Sequence, residues 1–268
     1  MIKANARGVV VGASSDIGLA IVRDWLDRKI EILGTFRKVS PELEKVRDNF
    51  FTLLECDFSN TESINYFIST VVDRKFFWDY LVICPGTMMP LGPFESIDID
   101  AWCSCFEINF LATMRIVHGL LPSRARSGQP LVLLFAGSGT NGAPVGFSAY
   151  TASKIALIKA VELLDAEVPD VRFTILGPGW VNTKIHEETM QSKDFIPTTA
   201  AETVKRLKSN QFNPMTRVVD CVAWAMESPR NLLGGRNFSV VNDDWGKLSL
   251  ESRLINDKEL YKLRRFGN

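Results

Sequence analysis

Seven short apolar runs most constrain what this chain folds into: GVVVGA, IEILGTF, FFTLLEC, DYLVICP, PLVLLFA, VRFTILG and RNFSVVN. They are nearly continuous rather than alternating, which is how strands covered on both faces read. Segments of helical periodicity separate them. Ile17, Ile21, Val22 and Trp25, for example, recur at the spacing of one helix face. Alternating strands and helices predict βαβ units and a doubly wound α/β sheet of seven parallel strands, with helices on both faces. The pattern runs from Arg7 to about residue 242 with no Pro/Gly/Ser-rich linker, internal repeat or low-complexity tract, so residues 1–268 read as one domain. Two segments are less regular. Residues 182–215 follow the sixth strand, at the sheet end where such folds bind ligands, and read either as a substrate lid or as a plain surface excursion. Residues 246–268 form a C-terminal extension whose charged tail, NDKELYKLRRFGN, predicts a surface helix.

Composition narrows the function class. At 46% apolar and 23% charged residues, the chain has material for a large core without disulfides or structural metal. Lys plus Arg equals Asp plus Glu at 31 each, which gives no electrostatic support for nucleic acid or a membrane surface. Five cysteines, an odd number without CxxC spacing and in apolar surroundings, suit buried free thiols in a reducing compartment. His118 and His186 are the only histidines, so no metal site is expected. No signal-peptide core or membrane-length apolar run occurs, and a cytoplasmic location is the expectation. A small-molecule role remains.

The stretch RGVVVGASSDIGLAIVRDWL reads as strand, tight turn and helix. Gly12 closes the strand and Gly18 follows one turn into the helix, where a missing side chain permits close approach of strand or pyrophosphate. The helix start offers free N–H groups to phosphate. Glycines at this spacing also serve purely structural turns. Asp16 stands where a third glycine is common, and it is expected to cap the helix with its carboxylate turned away from phosphate.

The ordered set Gly12-x-x-x-Asp16-x-Gly18, Asp57, Pro85-Gly86, Asn109, Ser138, Tyr150-x-x-x-Lys154 and PGWVNT at 178–183 resembles the short-chain dehydrogenase/reductase family over roughly residues 7–245. The resemblance implies a Rossmann-like seven-stranded parallel sheet, a nicotinamide cofactor, and hydride transfer between nicotinamide and a carbonyl or secondary alcohol. It puts Gly12, Ser14, Ser15, Asp16, Ile17, Gly18, Asp57, Phe58, Pro85 and Gly86 against the cofactor. Tyr150, Lys154, Pro178, Gly179, Val181 and Thr183 join them. Asp57 would meet the adenine amino group, or alternatively cap the helix beginning near Thr61. Val181 and Thr183 would hold the carboxamide. A homodimer or homotetramer is implied, commonly through the helices carrying Asn109 and Tyr150. The family's usual Asn-Ala-Gly after the fourth strand is Cys84-Pro85-Gly86 here.

At the tip of the second strand, GTFRKVS has Phe36 where an acidic residue would select NAD(H), followed by Arg37 and Lys38. Paired guanidinium hydrogen bonds and added charge, with hydroxyls from Ser14 and Ser15, favour the 2′-phosphate of NADP(H) while leaving NAD(H) open. The bland alternative makes Arg37 and Lys38 solvated loop charges.

Tyr150 and Lys154 lie one helical turn apart on one face. Carbonyl reduction needs a proton donor for the forming alkoxide, and a phenol with a pKa of about 10 needs help near neutrality. A neighbouring ammonium is expected to lower that pKa, and the resemblance adds a hydrogen bond from Lys154 to the nicotinamide ribose. Ser138 would donate to the substrate oxygen. Many family members carry this serine one residue earlier, at Gly137, so either the loop shifts or Thr140 takes the role. Asn109, in an otherwise apolar helical run, either mediates a helix contact or, as the family implies, holds a water linked to Lys154. Phe147 and Trp180 are candidates for the substrate pocket. A catalytically silent nucleotide-binding regulatory protein of the same fold is the alternative, although an intact Ser/Tyr/Lys/Asn set argues against it. A related sugar epimerase or dehydratase would need a larger C-terminal domain. The expected substrate is a small carbonyl or alcohol compound, with a sugar-like one suggested by association alone.

Overall fold

A computed structural model describes residues 3, 5–46, 48–137 and 139–265. The apolar runs become β1 (Arg7–Val11), β2 (Glu31–Phe36), β3 (Phe51–Glu55), β4 (Tyr80–Ile83), β5 (Leu131–Phe135), β6 (Arg172–Gly177) and β7 (Arg236–Ser239). All neighbours pair in parallel, in the order β3-β2-β1-β4-β5-β6-β7. The helices are α1 (Asp16–Asp27), α2 (Pro41–Glu44), α3 (Thr61–Asp73), α4 (Ile99–Phe106), α5 (Ala112–Leu120), α6 (Ser148–Glu167), α7 (Ile185–Gln191), α8 (Pro197–Ser209), α9 (Met215–Glu227), α10 (Arg230–Leu233) and α11 (Leu248–Asn256).

The near-continuous apolar strands have a direct packing cause. In β1, Val9 and Val11 join a core with Phe67 of α3, Ile116 of α5 and Leu157 of α6. Val10 joins the opposite core, with Trp25 of α1 and Val222 of α9. Both strand faces are therefore buried, and each such side chain contributes roughly 1.5–3 kcal/mol. Gly8 is required by this packing, because a Cβ there would lie 2.1 Å from the Trp25 ring. The chain builds outward from β1 in both directions, which opens a crevice between the carboxyl ends of β1 and β4.

The segment 182–215, weakly periodic in sequence, is mostly helical, comprising α7, α8 and the start of α9. One expectation changes: the described part of the tail is not a helix. Helix α11 ends at Asn256, and Asp257 accepts from the amides of Glu259 (2.9 Å) and Leu260 (3.1 Å), which forms a turn instead. Buried Arg236 then donates to the carbonyls of Asn231, Leu232, Leu254, Asp257 and Leu260, and the Asn237 amide donates to the Tyr261 carbonyl at 2.9 Å. The tail thus lies along β7, where five carbonyls satisfy one buried guanidinium. Residues 266–268 of the expected helix lie outside the described residues.

No described helix is long and apolar enough to cross a membrane. All five cysteines are free, but not all are buried as expected: Cys56, Cys105 and Cys221 are, Cys84 is half-buried, and Cys103 is exposed on α4.

Candidate active site

A cavity of about 1190 Å³ opens at the carboxyl ends of the strands. One wall is the β1–α1 turn. Gly12 has φ +79°, and a Cβ on it would meet the Pro85 ring at 2.8 Å. A Cβ on Gly18 would lie 2.2 Å from the Gly12 carbonyl oxygen. Both positions therefore exclude side chains, which leaves a cradle of the shape a pyrophosphate takes against a helix N-terminus. Gly12, Ser14, Ser15, Asp16 and Ile17 line the cavity, with Gly18 buried behind them.

The cap of α1 is Ser15, not Asp16. Ser15 has extended backbone, and its Oγ accepts from the Gly18 amide at 3.1 Å while donating to the Gly12 carbonyl at 2.8 Å. Asp16 sits in the first helical turn, where its charge suits the helix dipole. Its Oδ2 accepts from the Lys184 amide at 2.8 Å, 168 residues away, just before α7. The residue that replaces a glycine therefore ties the cofactor turn to the start of the 182–215 segment.

At the next two strand ends, Arg37 lines the cavity and Lys38 is exposed outside it. Asp57 and buried Phe58 also line it. Asp57 is not the cap of α3, because Asn60 accepts from the amides of Glu62 (2.8 Å) and Ser63 (3.1 Å). Asp57 Oδ1 instead accepts from the Ser59 amide and hydroxyl at 2.9 and 2.8 Å. Burial opposes its charge, yet the Ser59 bonds and the Arg37 guanidinium hold the carboxyl below its ordinary value.

The centre of the site lies between β4, β5 and α6. Tyr150 and Lys154 are buried on one face of α6. Lys154 Nζ donates to the Phe135 carbonyl at 3.0 Å and lies 5.9 Å from the Tyr150 ring centroid. Burial pulls the Lys154 ammonium down to about 8, with the thiols of Cys105 and Cys84 opposing. Tyr150 departs from expectation. Burial pushes its phenol above the ordinary value, and Cys105 and Glu188 add to the rise. Desolvation of the phenolate is the largest cause of the shift, and the expected lowering by the Lys154 ammonium is not among its causes. This environment keeps Tyr150 in its proton-donating form.

Asn109 is fully buried in a π-helical turn, Glu107–Leu111, between α4 and α5. Its Oδ1 accepts from the Thr87 amide (2.9 Å), and its Nδ2 donates to the Thr87 carbonyl (2.9 Å) and to Ser153 Oγ (3.0 Å). The π turn aims the amide into the loop after β4 rather than back along the helix, a common use of such bulges. Pro85 and Gly86 line the cavity there. A Cβ on Gly86 would approach Asn109 Oδ1 and Lys154 Nζ, each at 3.3 Å, so the bare backbone lets three elements meet. Cys84, in place of the family's asparagine, is a thiol pushed up to about 12 by burial and stays neutral.

Gly137 faces Tyr150 closely: a Cβ on it would lie 2.4 Å from the phenol oxygen. Ser138 lies outside the described residues. Thr140 lines the cavity, with its Oγ1 donating to the Gly137 carbonyl at 3.5 Å.

Pro178, Gly179, Trp180, Val181 and Thr183 line the cavity after β6. Trp180 is part of a stack, with His186 at 3.9 Å on one side, Phe212 at 5.5 Å, and the Arg206 guanidinium 5.5 Å from its ring. It therefore ties β6 to α7 and α8. His186, without a visible partner in sequence, also bonds the Val181 carbonyl through Nε2 at 2.8 Å. Phe147 is buried with Met88, Leu91, Tyr150 and Ile196 and does not line the cavity. Glu188, which no motif marks, reaches the loop after β4 and lines the cavity.

The short chain dehydrogenase family profile matches residues 8–194. The chain belongs to that family. Among its relatives is an uncharacterized oxidoreductase of Staphylococcus saprophyticus, 24% identical over 189 residues, covering 68% of this chain and 80% of the relative. Solved structures of other oxidoreductases share the fold. A variant of actinorhodin polyketide ketoreductase with NADPH aligns at TM-score 0.75 and 20% identity, covering 90% of this chain and 97% of that one. 4-Hydroxyisoleucine dehydrogenase with NADH aligns at TM-score 0.72 and 21% identity, covering 88% and 96%. Family and fold together put this short-chain dehydrogenase among oxidoreductases of the nucleotide-binding Rossmann type.

Proposed function

We propose that this short-chain dehydrogenase reduces a carbonyl compound, or oxidises the corresponding secondary alcohol, with NADP(H) preferred over NAD(H). The observation that carries the reading is the buried pair Tyr150 and Lys154, which lines the same cavity as the close-packed turn at Gly12, with Asn109 buried behind the wall and bonded to Thr87 of that lining. The dinucleotide fits this cradle and supplies the hydride when bound. Gly12, Ser14, Ser15 and Ile17 hold its pyrophosphate, with Gly18 letting the helix approach. Asp57 and Phe58 border the adenine, and Arg37 grips a 2′-phosphate. Pro85, Gly86, Pro178, Gly179, Val181 and Thr183 border the nicotinamide end.

Tyr150 donates the proton that the forming alkoxide requires, and burial favours that protonated state. Lys154 hydrogen-bonds the ribose, and Asn109 anchors the loop beneath it through Thr87. The substrate oxygen takes its second hydrogen bond from Ser138 or Thr140. The exposed apolar side chains Ile99 of α4, Leu111 of the π turn and Leu163 of α6 support a homodimer or homotetramer through these helices. Five free thiols support work in a reducing, cytoplasmic compartment.

One observation favours the silent-protein alternative: Gly137 removes the hydroxyl from the position that faces Tyr150. The test is a fluorescence titration with NADPH and NADH, followed by a carbonyl and alcohol panel in both directions. Tighter NADPH binding with turnover is expected. Binding without turnover on any panel member would select the silent protein, and no binding of either nucleotide would defeat both readings.

A further inference from the structure

The motifs leave several ionisable groups of the cavity unused, Lys184, His186, Glu187 and Glu188 among them, and Glu188 is the one bonded to the loop after β4. Glu188 projects from α7 and accepts from the Met88 amide at 2.5 Å through Oε2. The Thr87 hydroxyl donates toward both carboxylate oxygens at 3.1 Å. Thr87 is the residue whose backbone is clasped by Asn109, so the carboxylate stands one residue from the polar network beneath Tyr150. Among the described residues no Lys or Arg pairs with Glu188. Glu187 and Gln191 line the same end of the cavity, with Met88 and Ile185 as apolar wall. A carboxylate offers about four acceptor positions, and one amide and one hydroxyl leave capacity for a further donor. An unneutralised charge beside a partly desolvated compartment also acts on anything that enters, more strongly than it would in water. Its electrostatic reach within the site is already felt at Tyr150 and Cys105.

We infer that Glu188 selects the substrate: its carboxylate accepts hydrogen bonds from a neutral, hydroxylated carbonyl compound and repels compounds bearing a carboxylate or phosphate. This rests on the oxidoreductase reading and narrows its substrate class.

The test compares NADPH-dependent reduction of dihydroxyacetone and L-erythrulose with reduction of two anionic relatives, hydroxypyruvate and dihydroxyacetone phosphate. The wild type is expected to favour the neutral compounds at least about tenfold in kcat/KM, the scale of one like-charge contact in a cleft. Glu188→Gln keeps an acceptor for Met88 and Thr87 but removes the charge, and it should bring the neutral-to-anion ratio down at least about tenfold, toward one. A purely structural role in holding α7 would lower both classes in parallel and leave the ratio unmoved, which would overturn the assignment. A wild-type preference for the anions would overturn it too, as would failure of the NADPH-bound protein to turn over either neutral compound. Failure of the wild type to bind NADPH at all would instead strike the oxidoreductase reading itself.

Discussion

The two ends of the cavity are built on different physics. At the β1–α1 turn, two glycines have no room for a Cβ, one because of its positive φ and the Pro85 ring, the other because of a carbonyl 2.2 Å away. Steric exclusion dominates that end, with both glycines and the Ser15 cap inside seven residues of sequence and the Pro85 ring closing on them from outside. At the α7 end, position depends on side chains reaching across the fold: Asp16 to the Lys184 amide, Glu188 to Met88, and Trp180 between His186 and Phe212. A steric cradle tolerates little change, whereas a set of separate side-chain ties degrades by parts.

That contrast can be broken or sharpened in four ways. Tyr150→Phe should lower turnover by about a thousandfold, because general acid catalysis contributes on that scale. NADPH titration of the same variant should remain close to wild type, and a parallel loss of binding would mean that the two ends are not separable. Gly12→Val places a β-branched side chain at φ +79° and against Pro85. It should weaken NADPH binding by about a hundredfold or more, given the cost of left-handed backbone and the lost approach. Affinity near wild type in that variant would refute the steric account of the cradle.

The third test uses pH. The Lys154 ammonium, pulled down to about 8 by burial, is present below that pH and lost above it. Raising the pH from 7 to 9 should therefore weaken cofactor affinity by up to about tenfold, and Lys154→Met should flatten the profile. A profile unchanged by that variant would assign the titration elsewhere. The smallest effect is expected from Asp16→Gly. Its carboxylate serves the Lys184 amide rather than the α1 cap, so NADPH affinity should change by less than about threefold, the scale of a surface hydrogen bond. Hydrogen exchange at Lys184 should nevertheless accelerate. Slow exchange preserved in that variant would show that the tie contributes nothing to the α7 end.

The seven strands and their parallel character are legible because burial on both faces writes itself as continuous apolar runs, as in Val9, Val10 and Val11. Tyr150, Lys154, Gly12 and Gly18 are legible because their spacing is local. The cap of α1 is not, because Ser15 and Asp16 are both competent caps and only backbone geometry distinguishes them. The tail reads as a helix yet folds otherwise because Arg236, upstream in β7, captures its carbonyls, an interaction that no local propensity records. The direction of the Tyr150 shift is also hidden, because desolvation depends on what covers a group and not on its sequence neighbours.

By itself, the sequence determined the layered fold, the side-chain-free nucleotide turn and the helix that pairs Tyr150 with Lys154. These follow from hydrophobic period and steric exclusion, which act over a few residues. Only the tertiary structure decided that Asn109 clasps Thr87, that Gly137 lies against Tyr150, and that Glu188 enters the cavity. The Asn109 and Glu188 contacts join residues 22 and 100 positions apart. Hydrogen bonds and charges act through space at a few ångströms, and such distances exist only once the chain has packed.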